Sequence, residues 1–174
     1  HSHALAVRVG RDALEQVPRS RWDFSTATRG LDATVASRCR FAGFLQGNEG
    51  FDASCFFMSP AEAAAMDPQQ RLLLERGYQS LHSARLDRGS LGGSLTGVFI
   101  GIAGSDFGQI LGVTPTGSSV YAATGFSFSI ACGRVSYVLG LHGPCASYAT
   151  ACSAALVASH AARRALPREA GLTS

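Results

Sequence analysis

The chain has 174 residues, 46% of them hydrophobic and 16% charged, which supplies enough apolar material for one buried core and excludes a disordered chain. Its net charge is +3, with arginines scattered singly and no run of like charge, so nothing argues for nucleic acid. A mildly basic surface still suits an acidic protein partner.

The opening segment to Phe24 begins apolar and turns polar, and Pro18 and the lone Trp22 place its end in a loop. Residues 25–50, rich in Thr, Arg and Gly, read as irregular apart from a short strand-like FAGFL at 41–45. Ser59, Pro60 and Glu62 then supply an N-cap, a first-turn proline and an early acid, the signature of a short helix. Asp67 and Pro68 repeat that punctuation and open a second helix over about 68–83, with Leu72, Leu73, Tyr78 and Leu81 as its expected buried face. A Gly-rich break at 89–93 ends this helical region. TGVFIGIAG, 96–104, is β-branched and aromatic between glycines and predicts a buried central strand. The strongly apolar run here falls below the ~18 residues of a membrane helix, and no signal peptide is legible. Residues 105–120 read as a polar connection. SFSIACGRVSYVLGLHGP, 127–144, predicts a helix that fails between Gly140 and Pro144, followed by a strand in CASYATA and a helix after Cys152. Strands alternating with helices imply an α/β fold, with residues 1–174 as a single domain free of internal repeats.

Five cysteines, at 39, 55, 132, 145 and 152, form neither a CxxC pair nor a zinc spacing, so a reduced, cytoplasmic protein without a metal site is expected. Cys39, Cys55, Cys132 and Cys145 are read as small hydrophobes. Cys152 stands apart because a strand turns abruptly into a helix at its position. Such a turn presents its residue to solvent and to the free N–H groups of the first helical turn, which favour a thiolate and can hold an oxyanion. Ser153, Ala154 and Ala155 keep side-chain bulk low beside it. On geometry alone, a nucleophile and a merely structural cysteine both stand.

No histidine supplies an obvious base. His160 lies eight residues along the same helix, about 12 Å away along its axis; His142 sits in a Gly/Pro turn and His82 at a helix end. GIAGSDFG, 101–108, lacks the GxGxxG spacing, and P-loop, HExxH and GxSxG patterns are absent. Asp67 is the best isolated acid, and its place at a helix start explains it as a cap.

Taken together, GRDALEQVPRSRWD at 10–23, FDASCFFMSPAEAAAMDPQQRLLLE, TGVFIGI, ACGRVSYVLGLHGP and TACSAAL at 150–156 resemble the β-ketoacyl synthase (ketosynthase) family, in the form found in multidomain polyketide synthases. The motifs occur in the family's order across nearly the whole chain, and DPQQRLLLE favours polyketide or animal-type fatty acid synthases over stand-alone bacterial condensing enzymes.

That resemblance implies the first half of a thiolase-like fold, layered αβαβα, so that residues 1–174 form the N-terminal portion of a ketosynthase domain ending after the nucleophile helix. It implies that Cys152 receives an acyl chain from a phosphopantetheine thioester and that a malonyl-type extender on an acyl carrier protein is decarboxylated and attacks it. Cysteine at 152, rather than the glutamine of decarboxylase-only loading domains, favours condensation. No cofactor is expected to bind directly. The implied partners are acyl carrier protein, the remaining half of the ketosynthase, other synthase domains and a second copy in a homodimer, with neither nucleic acid nor membrane.

Some positions depart from the family's pattern. Ala149 replaces an aspartate in VDTACSSSL, Ala154 and Ala155 replace serines, Cys145 stands where serine is usual, and Tyr78 where tryptophan is common. The family's usual first strand is missing, and its two catalytic histidines and supporting lysine belong to its second half. Condensation by these residues alone is therefore not expected. The alternatives are a non-catalytic ketosynthase-like half acting as an interaction or scaffold piece, and an unrelated cysteine hydrolase with the same strand–Cys–helix joint; the ordered motifs argue against the latter.

Overall fold

Aspartates open the first two helices. Asp23 accepts from the Ser25 backbone N–H and from the hydroxyls of Ser25 and Thr26, starting α1 (Phe24–Ala27). Asp32 accepts from Thr34 N at 2.8 Å, starting α2 (Ala33–Arg38). Both lie where the sequence reads as irregular, because helices this short carry no apolar period and depend on their caps. Beside them β1 (Glu15–Gln16) and β2 (Phe41–Ala42) pair antiparallel, so the expected strand at 41–45 is reduced to its first two residues. The Trp22 ring packs against Phe44 with centroids 5.9 Å apart.

The computed structural model describes Gly10, Asp12 and residues 14–45 and 50–166; the apolar start of the N-terminal segment lies outside the described residues. The chain divides into two compact units, residues 1–47, which hold the elements above, and residues 48–174.

In the larger unit, Ser59 accepts from Glu62 N at 3.1 Å and opens α3 (Pro60–Ala65), while Asp67 accepts from Gln69 N at 2.7 Å and opens α4 (Pro68–Ser83). Both helices start on the residues whose spacing predicts them. The buried face of α4 differs from expectation. Gln70 and Leu74 are its fully buried side chains, and Leu72, Leu73, Tyr78 and Leu81 are half-buried. A glutamine can lie inside because its amide is satisfied: Nε2 donates to Thr124 O at 3.3 Å and Ser127 O at 3.1 Å, and Oε1 accepts from Arg134 Nε at 2.9 Å. The Gly-rich break contains a helix, α5 (Arg88–Leu91), held by reciprocal Asp87 and Ser90 bonds, and its Leu91 is buried.

The sheet of this unit is a parallel pair. β3 (Val98–Gly101) and β4 (Cys145–Tyr148) run in register, Val98 opposite Cys145 and Gly101 opposite Tyr148. β3 is shorter than expected and, among the described residues, has β4 as its sole strand partner. The crossover between them holds α6 (Phe107–Gly112), a 3-10 turn at Pro115–Ser118, α7 (Ala122–Gly125) and α8 (Phe128–Leu139). The stretch 105–120, read as a polar connection, thus carries helical turns. α8 stops at Gly140, whose φ of 67° is the left-handed cap that glycine adopts freely. α9 (Ala154–Ala165) follows β4. Ile100 of β3 shares the core with Met66, Leu74, Ala131, Val135 and Leu139, which places α8 on one face of the strand pair. Gly101 lies directly against the first residues of α9 on the other. The α/β/α layering agrees with the expected class.

A polar bracket ties α3, α4 and α8 together. Arg134, its side chain 8% exposed, reaches Glu62 Oε1 at 2.5 Å as well as Gln70. Arg134→Ala is expected to lower stability by about 2 kcal/mol, because buried Gln70 loses a donor while half-exposed Glu62 turns to water. Thermal unfolding reads this as a fall in Tm, and an unchanged Tm would mean the bracket contributes nothing.

Candidate active site

After Tyr148 the chain passes through Ala149 and Thr150 into a 3-10 turn, Ala151–Ser153, that runs directly into α9. Ala151 takes φ 51°, a left-handed conformation that costs a non-glycine residue about 1–2 kcal/mol. The turn is fastened by Ser153, whose hydroxyl donates to Thr150 O at 2.7 Å and whose N–H donates to the same oxygen at 3.2 Å. Cys152, between these anchors, is exposed and makes no hydrogen bond through its thiol.

Gly101 sets how closely α9 approaches the sheet. A Cβ at this position would lie 2.4 Å from Ala154 C and Ala155 N and 2.6 Å from Ala155 Cα. Ala154 and Ala158 form the buried side of the helix, at 5% and 3% exposure. The small residues after Cys152 therefore serve two ends: Ala154 fits the helix against the strands, and Ala155, exposed, leaves the joint open. Ala149, where the family commonly has aspartate, is exposed in the turn itself.

The remaining predicted polar residues sit elsewhere. Asp67 is 4% exposed and, besides capping α4, accepts the Ser105 hydroxyl at 2.5 Å; with Gln69 Nε2 on Gly104 O at 3.0 Å it fastens the loop after β3 to the start of α4. Neither Ser105 nor Gly101 is singled out as a site residue by the motifs that contain them, and only the folded backbone reveals their roles. His160 lies two turns along α9 from Cys152. His142 precedes β4, so the strand separates it from Cys152 by more than about 13 Å. His82 lies near the far end of α4, about 20 Å along the axis from the end fastened to the loop after β3. These three histidines are not brought to the thiol. An apolar groove of about 430 Å³ between α4 and β3, lined by Leu72, Leu73, Val98, Ile100 and Val135 among others, does not include Cys152.

The other cysteines divide. Cys132 is buried in the core and Cys55 packs against that core, as small hydrophobes do, whereas Cys39 and Cys145 are exposed. Partial burial of its thiol, and then the neighbouring Cys132, push the Cys145 thiol above the ordinary range, with Ser136 opposing the shift. Cys145 is therefore held protonated at neutral pH, and its alkylation by iodoacetamide is expected to stay slow until pH passes the usual thiol range. Peptide mapping across a pH series checks this, and fast labelling of Cys145 at pH 7 would contradict it. Among the described residues, no cluster of three or more His, Cys, Asp or Glu could hold a metal ion, and no helix is long and apolar enough to cross a membrane.

A parallel strand pair between helical layers, with a cysteine at the turn from strand to helix, defines an α/β protein with a candidate nucleophile at a strand–helix joint. The profile described as "Beta-ketoacyl synthase, N-terminal domain" matches residues 3–170. The spectinabilin polyketide synthase system protein NorC of Streptomyces orinoci is 43% identical over 162 residues, covering 92% of this chain and 7% of that protein. The pikromycin polyketide synthase component PikAII of Streptomyces venezuelae is 45% identical over 173 residues, 95% of this chain and 4% of that protein. The chain thus spans only a small part of the length of these relatives. Among solved structures, the ketosynthase from module 6 of the bacillaene synthase of Bacillus subtilis 168 superposes with a TM-score of 0.79 at 34% identity, over 94% of this chain and 26% of that one. The chain belongs to the β-ketoacyl synthase family and corresponds to its N-terminal domain.

Proposed function

We propose that Cys152 is the acyl-accepting nucleophile of a polyketide-synthase ketosynthase and that residues 1–174 form one partial domain carrying this half of its site. The Cys152 thiolate attacks the carbonyl of an acyl thioester, a carbon–sulfur bond forms, and the phosphopantetheine thiol of an acyl carrier protein leaves as the other product. The backbone N–H of Cys152, in the Ala151–Ser153 turn, contributes to holding the oxyanion that forms on the way. In the complete synthase a malonyl-type extender, decarboxylated by groups these residues do not include, then attacks the acyl-cysteine to make the new carbon–carbon bond.

The observation that carries this proposal is the exposed, unbonded thiol held at a strained turn between β4 and α9. Large exposed apolar side chains of the same unit, Val113, Val120, Tyr137 and Leu156 among them, support contacts with the rest of a ketosynthase and with a second copy. Five unbridged cysteines support a cytoplasmic location.

Incubation with an acyl-pantetheine thioester followed by peptide mass mapping tests the role of Cys152. A single acyl group on Cys152, without carbon dioxide release from a malonyl thioester, is the expected result. Absence of any acyl-cysteine would favour the scaffold role, and peptide cleavage would favour a hydrolase.

A further inference from the structure

We infer that Ser153 is a positioning residue for acyl transfer: its hydroxyl, acting through Thr150, keeps Ala151 in the left-handed backbone that leaves the Cys152 thiol and N–H free together. This role deepens the one proposed for Cys152 and rests on it. The hydrogen bonds of the joint show how the turn is shared out. The Ser153 N–H donates to Thr150 O at 3.2 Å, and the Ala154 N–H donates to Ala151 O. The Cys152 N–H, just before them, donates to no group among the described residues, and the residue is exposed. One residue thus offers an unbonded thiol and an unbonded donor. Attack on a thioester carbonyl needs both, because the sulfur bonds to the carbon while the oxygen gains charge.

That arrangement runs against the preference of the backbone. Ala151 sits at φ 51°, where the Cβ of an alanine crowds the following carbonyl. A right-handed Ala151 would carry the coil of α9 back toward β4 and draw the Cys152 N–H toward a preceding carbonyl. Ser153 opposes this. Its hydroxyl donates to Thr150 O at 2.7 Å, with Thr150 Oγ1 as a second acceptor at 3.0 Å, and so closes a ring around Ala151 and Cys152. One such hydrogen bond and one left-handed alanine are of similar magnitude, so loss of the hydroxyl tips the balance. Ser153 does this through the turn, without touching the acyl group.

The test compares two reactions of the same sulfur in the full chain. Thioester acylation puts charge on an oxygen and uses the N–H, whereas iodoacetamide loses iodide to any accessible thiolate. Ser153→Ala is expected to slow single-turnover acylation from an acyl-pantetheine thioester by about tenfold or more. Its alkylation at Cys152 by iodoacetamide is expected to stay within about twofold of the parent. Ser153→Thr, which keeps the hydroxyl, is expected to acylate at close to the parental rate. Ala151→Gly added to Ser153→Ala is expected to recover acylation, because glycine adopts a positive φ without the clamp. Thermal unfolding accompanies each variant. Parental acylation by Ser153→Ala, an equal fall in acylation and alkylation, no recovery with threonine, or a Ser153→Ala chain that no longer unfolds cooperatively would overturn the role of Ser153 and leave that of Cys152 standing. A parent that takes no acyl group at Cys152 would remove both.

Discussion

Cys152→Ala is expected to abolish acyl transfer, by at least about a thousandfold, and to leave stability within about 0.5 kcal/mol of the parent. The two halves of that expectation have separate structural sources. The thiol is exposed and makes no hydrogen bond, so its loss empties no packed space and orphans no partner. The turn around it is fastened by Thr150 and Ser153, which the substitution does not touch. The geometry of the joint therefore survives while the only sulfur at the turn is gone. Single-turnover acylation from an acyl-pantetheine thioester, set beside thermal unfolding, separates the effects. In the parent, iodoacetamide is expected to reach Cys152 ahead of Cys145 and far ahead of buried Cys132. An alanine variant that still takes up acyl groups at the parental rate would remove Cys152 from the chemistry.

Gly101→Ala is expected to act in the opposite manner, through the frame instead of the sulfur. Its new methyl would sit 2.4 Å from two backbone atoms of α9, atoms that no rotamer change can move aside. Either the helix start shifts or β3 does, at a cost of about 3 kcal/mol. Because Cys152 lies immediately before α9, the shift also slows its acylation, by at least about tenfold. Gly133→Ala provides the matching control. Gly133 lies within α8, where an added Cβ meets nothing within 4 Å, so alanine is expected to stabilise the helix by about 0.5–1 kcal/mol and to leave acylation unchanged. Equal unfolding temperatures for the two variants would contradict the close approach seen at Gly101.

These positions also mark what the sequence discloses. The starts of α3 and α4 are legible because Ser-Pro and Asp-Pro announce them, and the end of α8 because Gly140 does. Cys152 is legible because its turn joins a strand to an alanine-rich helix and because the surrounding motifs resemble a family. By contrast, α1, α2, α5 and α6 are four to six residues long, too short for a period, and rest on local caps and tertiary contacts. The burial of Gln70 depends on Arg134, Thr124 and Ser127, all more than 50 positions away in sequence. The strained φ of Ala151 is invisible because alanine does not advertise a left-handed backbone as glycine does. The pairing of Val98 with Cys145 is a matter of strand register, which periodicity alone does not provide.

The parallel pairing of β3 with β4 has a consequence in time. Its partners lie about 47 residues apart in the chain, so the contact that seats α9 closes a long loop and belongs to the slow, non-local part of folding. α3 and α4 can form from neighbouring residues as the chain emerges from the ribosome, but the turn that displays Cys152 has no platform until β4 has been synthesised and has found β3. The exposed thiol is thus set in place last, on a surface already built, and a nascent chain that stalls within the crossover carries no structured cysteine joint.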